Sequence, residues 1–115
     1  MRKALGFSVL LLAAPAAVLA HHGWGSYDAS KTVTVQGPIE TSSYTNPHAT
    51  ITVKAPDKVW TIILAPISRM QARGAPADFV AAGKTVKAEG YASKVEPSEM
   101  RAERITVDGK AVEMR

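Results

Sequence analysis

Residues 32 to 65, TVTVQGPIETSSYTNPHATITVKAPDKVWTIILA, decide the fold of this chain. Residues 32–45 are rich in β-branched side chains and alternate between apolar and polar, the pattern of a half-buried strand. Gly37-Pro38 interrupts that alternation. Proline cannot donate to a strand ladder, so one long strand with a bulge or sharp bend is expected there. Asn46-Pro47 is a turn signal, with His48 just past it. Residues 49–54 (ATITVK) read as a second strand, Pro56-Asp57-Lys58 as a hairpin turn, and residues 59–65 (VWTIILA) as a third, more fully buried strand.

Beyond Ala65 the period changes. Pro66 suits the first turn of a helix. Ile67, Met70 and Gln71 follow at helical spacing, Arg73 lies in the last turn, and Gly74 is a C-cap candidate, so a helix is expected over 66–73. Residues 77–82 can add another helical turn, closed by Gly83. Alternation returns in 84–92, a polar connection spans 94–100, and 102–107 form a fifth strand. Asp108-Gly109 is a tight-turn signal, and 110–114 complete a terminal hairpin. Three strands, a short helix, then two or three strands describe an all-β domain with one short helix. The expected architecture over 32–115 is a small antiparallel barrel of five to six strands, resembling the oligonucleotide/oligosaccharide-binding (OB) barrel with its long, bent first strand. An open antiparallel sheet with a helix packed on one face is the alternative.

Upstream, residues 21–31 (HHGWGSYDASK) hold two glycines and several small polar residues and read as a non-repetitive arm. Residues 1–20 read as a cleaved signal peptide: Arg2 and Lys3, an apolar run of 11 residues over 4–14, Pro15, and small or medium side chains at Val18-Leu19-Ala20. A spanning helix needs about 20 apolar residues, so cleavage between Ala20 and His21 is expected, with a periplasmic address and no stable membrane insertion afterwards. There is no twin-arginine pair and no cysteine after the cut to accept lipid. The 46% hydrophobic content is therefore concentrated at the front, and the folded part is more polar than that figure implies. Removing Arg2 and Lys3 leaves 12 basic against 10 acidic residues, a net of +2 rather than the +4 of the whole chain. No basic run remains, so nucleic acid is not an expected partner. The 95 residues after the cut suffice for one modest core but not for a large enzyme architecture. The absence of cysteine excludes disulfides, thiolate metal sites and cysteine nucleophiles.

The candidate chemistry lies in the three histidines, His21, His22 and His48. After cleavage, the α-amine and imidazole of His21 can chelate one metal ion, and an imidazole from His48 or His22 completes a three-nitrogen set. Nitrogen donors of this kind suit Cu(II), which tops the divalent affinity order. Because ligation needs neutral imidazole and free amine, binding should weaken as pH falls through about 6.5. Geometry is the open question. A strand of 14 residues spans up to about 45 Å if straight, and an extended arm of 11 residues reaches back about 35 Å. Asp28 is an oxygen ligand or an outer partner to histidine, and Trp24 a hydrophobic wall beside the ion. The plainer reading has Trp24 and Tyr27 anchoring the arm to the barrel. Trp24, Tyr44, Trp60 and Tyr91 are candidates for a ligand-binding face. Glu96, Glu99 and Glu103 read as a solvated acidic stretch. Ser42 and Ser43 carry no nucleophile motif, and no glycine loop is built to cradle phosphate.

His21-His22-Gly23-Trp24 with Tyr27-Asp28, Asn46-Pro47-His48-Ala49, Trp60 with Leu64-Ala65-Pro66, Arg69-Met70, Arg73-Gly74, Val86, Glu89-Gly90 and Ala102-Glu103-Arg104 together resemble the secreted bacterial family labelled domain of unknown function 6152. The resemblance covers essentially all of 21–115 and is most specific in the His-His start and the Asn-Pro-His motif. It implies a small periplasmic barrel-like domain and no established activity. The expected function is a non-enzymatic periplasmic metal-binding protein, with copper as cofactor or cargo. The alternative is a binding module for a small molecule, a glycan or an envelope protein. Metal-dependent redox catalysis is the least favoured, since so short a chain leaves little room for a substrate cleft.

Overall fold

The computed structural model describes residues 23–115. The strands are β1 (Tyr27–Ser43), β2 (Thr50–Lys54), β3 (Val59–Ile63), β4 (Thr85–Ser93), β5 (Glu99–Val107) and β6 (Lys110–Glu113). Among the described residues one helix, α1 (Ile67–Ala72), and single 3-10 turns at Trp24–Ser26 and Ala77–Val80 accompany them. Their order along the sheet is β3-β2-β1-β4-β5-β6, and β3 also pairs with β5, which closes a ring of five strands with β6 appended. The β3–β5 contact is parallel and the other strand pairs antiparallel. This is the OB-like barrel expected from the strand order, and ring closure rules out the open sheet.

Two glycines make closure sterically possible. β1 pairs with β4 up to Pro38 and with β2 from Ile39 onward, so Gly37-Pro38 is where the strand passes from one neighbour to the other. A Cβ on Gly37 would stand 2.3 Å from the Lys54 carbonyl oxygen, so β2 ends directly against this glycine. At Gly90 a Cβ would lie 1.9 Å from the Arg101 carbonyl oxygen and 2.8 Å from the Ala102 Cα, where the β4–β5 register shifts by a bulge. Both are corners at which only hydrogen fits.

The barrel is filled from every strand: Val35 and Ile39, Ile51 and Val53, Trp60 and Ile62, Val86 and Ala88, Met100, Ala102, Ile105 and Val107. Met70 of α1 and Val80 of the second 3-10 turn join this core at full burial. α1 ends as expected at Gly74, where Gly74 N–H donates to the Gln71 carbonyl at 3.2 Å and Ala75 N–H to the Met70 carbonyl at 2.8 Å. Asp108 and Gly109 both have positive φ, 51° and 78°, as a tight hairpin turn requires.

Three expected boundaries are corrected. The non-repetitive arm does not run to residue 31, because β1 begins at Tyr27. Its first residues pair irregularly, with a register shift between Tyr27 and Thr32, and Asp28 folds back so that its Oδ1 accepts from Ser30 N–H at 3.0 Å and Ser30 Oγ at 2.6 Å. That bulge broke the alternation on which the sequence reading depended. β3 stops at Ile63, two residues short, because Leu64 N–H turns to the Ala49 carbonyl. The polar connection expected over 94–100 ends early. β5 starts at Glu99, paired with β3 through Thr61↔Glu99 and with β4 through Ala92↔Met100.

Candidate functional site

Glu99, Met100, Arg101 and Ala102 are all buried at the start of β5. In a strand with one face on the core, alternate residues should face solvent. Met100 and Ala102 do face the core, so Glu99 and Arg101 lie on the outer face and something covers them. The cover is the 3-10 turn at Trp24–Ser26 together with Tyr27, the first residue of β1. Tyr27 hydroxyl donates to Glu99 Oε2 at 2.5 Å, and the Trp24 ring lies over the Arg101 guanidinium at 4.3 Å. Arg115 stands 4.3 Å from the same indole, and Tyr91, the cross-strand partner of Arg101, meets it edge-on with centroids 6.2 Å apart. Trp24 is thus held by two guanidiniums and one aromatic edge.

His48 enters from the β1–β2 loop, which contains a cis Asn46–Pro47 bond. Ala49 N–H donates to the Ala65 carbonyl at 3.0 Å, which ties the loop to the chain beyond β3. Arg101 Nη2 lies 3.2 Å from His48 Nε2. A guanidinium only donates, so the ring nitrogen of His48 is the acceptor in this contact. Arg69 of α1, whose Nη1 donates to the Met114 carbonyl at 2.9 Å, adds a further charge. Burial lowers the Arg101 pKa, the Tyr27 neighbourhood raises it, and the Arg69 and Arg115 charges lower it again.

Burial, followed by the bond to Glu99, pushes the Tyr27 hydroxyl well above the ordinary 10.0. A group whose folded value is raised contributes stability that is complete below its unfolded value and disappears as pH climbs above it. The wild-type chain should therefore lose stability from about pH 10 upward, and Tyr27→Phe should flatten that decline in denaturant titrations between neutral and alkaline pH. Parallel declines would show that the contact does not carry the effect.

Of the residues singled out from sequence, His21 and His22 lie outside the described residues. His48 and Trp24 are brought to one guanidinium, and Tyr91 joins Trp24. Asp28 is engaged locally with Ser30, a bond that lowers its pKa. Trp60 is buried at the β2–β3 hairpin, its Nε1 donating to Asp57 Oδ1 at 3.3 Å with Lys58 over the ring. Tyr44 hydroxyl donates to the Ala75 carbonyl at 2.7 Å. The four aromatic candidates therefore occupy three separate places rather than one face. Glu99 corrects the solvated acidic stretch, since it is 8% exposed. Trp24 and Tyr27 anchor the start of the chain onto β5, as the plainer reading of the sequence has it, and Arg101 completes a cluster that no local pattern announces. Among the described residues no three histidine, aspartate or glutamate side chains gather as a metal-holding set, and no helix is long and apolar enough to cross a membrane.

Fold and site together define a class: an OB-like barrel carrying a half-buried, cation-rich aromatic cluster around Arg101 on the outer face of β5. Residues 9–99 match the model of a family described as a family of unknown function (DUF6152), and the chain belongs to that family. No curated protein matches it. Among solved structures, the complex of TiaS with an isoleucine tRNA and ATP is similar over 70% of this chain and 19% of that one, at 13% identity and a TM-score of 0.52. A ZRD-deleted mutant of TiaS in complex with agmatine is similar over 76% of this chain and 25% of that one, at 14% identity and a TM-score of 0.52. The chain thus spans a quarter or less of either structure, and likeness at such identity concerns the fold alone.

Proposed function

We propose that this chain is a periplasmic, non-enzymatic metal-binding protein that takes Cu(II) through the amine and imidazole of a processed His21 together with His48. One observation carries the reading. The guanidinium of Arg101 touches both the Trp24 ring and the His48 imidazole, so the described start of the chain and the β1–β2 loop converge on one side chain. Trp24 is three steps along the chain from His21, a reach of at most about 11 Å. The long first strand therefore does not hold the two halves of the donor set apart.

The chemistry of the donors is consistent with this. The Nε2 lone pair that accepts from Arg101 is also the one an ion would take, so ligation exchanges a hydrogen bond for a coordinate bond. Trp24, stacked on Arg101, ties the described start of the chain to this end of the barrel.

The test is a Cu(II) titration of protein with a native His21 start against the same protein acetylated at its α-amine. Acetylation removes the amine chelate without creating another and should weaken binding roughly hundredfold, about 2.7 kcal/mol, with the barrel intact by circular dichroism. Equal, weak binding of both proteins at the level of any exposed histidine would end the metal reading.

A further inference from the structure

β6 stands at the end of the strand order and, among the described residues, pairs with β5 alone. Met114 N–H donates to the Glu103 carbonyl at 2.8 Å, and the register runs on through Ile105↔Val112 and Val107↔Lys110. In an antiparallel ladder the hydrogen-bonded residues alternate along the strand. Lys110, Val112 and Met114 therefore turn their main-chain groups to β5, and Ala111 and Glu113 turn theirs away from it. An open groove of about 530 Å³ lies along that outward edge, lined by Arg73, Ala111, Val112, Glu113 and Arg115. An unpaired edge of this kind is a template for another strand.

We propose that the outer edge of β6 receives an acidic, extended segment of a partner protein, which adds to the sheet as a further strand. The inference is independent of the metal reading above. The rim of the groove sets the charge of the occupant. Arg73 directly follows α1, and its Nη1 donates to the Glu113 carbonyl at 2.8 Å and to the Arg115 main-chain oxygen at 2.9 Å. The rest of the guanidinium is thereby fixed beside the edge, a fork of the kind that takes a carboxylate. Lys110 opens the strand, with its Nζ on the Gly74 carbonyl at 2.8 Å. The groove's own carboxylate, on Glu113, is bound to Arg104, and Arg115 reaches Glu103 at 3.5 Å, so neither acid pairs with Arg73 or Lys110. A second copy of the chain would bring two sets of these cations to one seam, where like charges destabilise a strand pair. Because Arg73 sits on the Glu113 carbonyl, an added strand finds its main-chain partners at Ala111 and at Glu113 N–H. So few main-chain bonds hold a strand weakly. The binding therefore depends on the cations and weakens with salt.

The test titrates a peptide of alternating valine and glutamate, capped at both ends and about six residues long, into isotope-labelled protein. The amide signals of Ala111 and Glu113 should shift first, with an affinity that falls several-fold as salt rises from about 0.01 M to 0.15 M. Ala111→Pro removes an outward N–H, which an edge strand tolerates, and should weaken binding about tenfold. Arg73→Gln should weaken it about tenfold and flatten the salt dependence. Both variants are checked for folding by circular dichroism. If either does not fold, two further peptides decide on the native protein. One is N-methylated throughout, which keeps the charges but cannot add to a ladder; the other carries lysine for glutamate, which keeps the pairing but reverses the charge. Neither should bind. Equal binding of the methylated peptide would show plain charge attraction, and equal binding of the lysine peptide an edge indifferent to charge; either result overturns the proposal. Shifts confined to another surface, or no binding of the acidic peptide, overturn it as well. A dimer of the protein alone, with Ala111 signals that move with concentration, would make a second copy the occupant and likewise end the proposal.

Discussion

A Gly90→Ala chain melts at least about 12 °C below the native one, if it folds at all. The added methyl would stand 1.9 Å from the Arg101 carbonyl oxygen and 2.8 Å from the Ala102 Cα, both of them backbone atoms. No rotamer change can relieve that overlap. The bulge between Glu89 and Gly90 would have to open, and with it the β4–β5 pairing on both sides. Overpacking of this kind costs about 3 kcal/mol or more, and each kcal/mol lowers the melting point of a domain this size by about 4–8 °C. Thermal melts of the two proteins check it. A substitution that costs under 1 kcal/mol would mean that β4 and β5 are not pressed together at this corner.

Arg101→Ala carries the second large effect. The guanidinium stacks on Trp24 and donates to His48 while only 5% exposed. A desolvated cation–π contact is worth up to about 2 kcal/mol, and a charged hydrogen bond about 1.5–3 kcal/mol. Removing the side chain should cost about 3 kcal/mol in total, with a spatial signature. Hydrogen exchange should accelerate at Trp24–Tyr27 and around His48, while Ile51, Val53 and Ile62 in the barrel keep most of their protection. Uniform acceleration across the barrel would make Arg101 an ordinary element of the core rather than the clamp between arm and loop.

The barrel was legible because its strands carry the period of two wherever one face is buried and the other is wet. β2, β4 and the Asp108-Gly109 hairpin follow that rule and lie where the alternation puts them. The bend in β1 was legible from Gly37-Pro38, since that pair has one steric use inside a strand. Burial on both faces defeats the rule. Glu99–Ala102 is buried throughout, so its charged residues looked like a solvated link. Nothing local signals that Trp24 and Tyr27 will lie across them. His48 was legible as a candidate by residue type. Its neighbour Arg101 was not, because the contact spans 53 residues and depends on the parallel β3–β5 pairing that closes the ring.

The convergence of arm and loop on Arg101 is the central claim, and Cu(II) affinity of native-start His48→Ala tests it most directly. His48 is half-buried in a loop and contributes no strand pairing, so the variant should stay folded. If the arm returns to this loop, loss of one imidazole donor weakens Cu(II) binding roughly hundredfold, about 2.7 kcal/mol. An affinity equal to that of the native chain would contradict the account: His21 and His22 would then act alone, at a place unconnected with the β1–β2 loop.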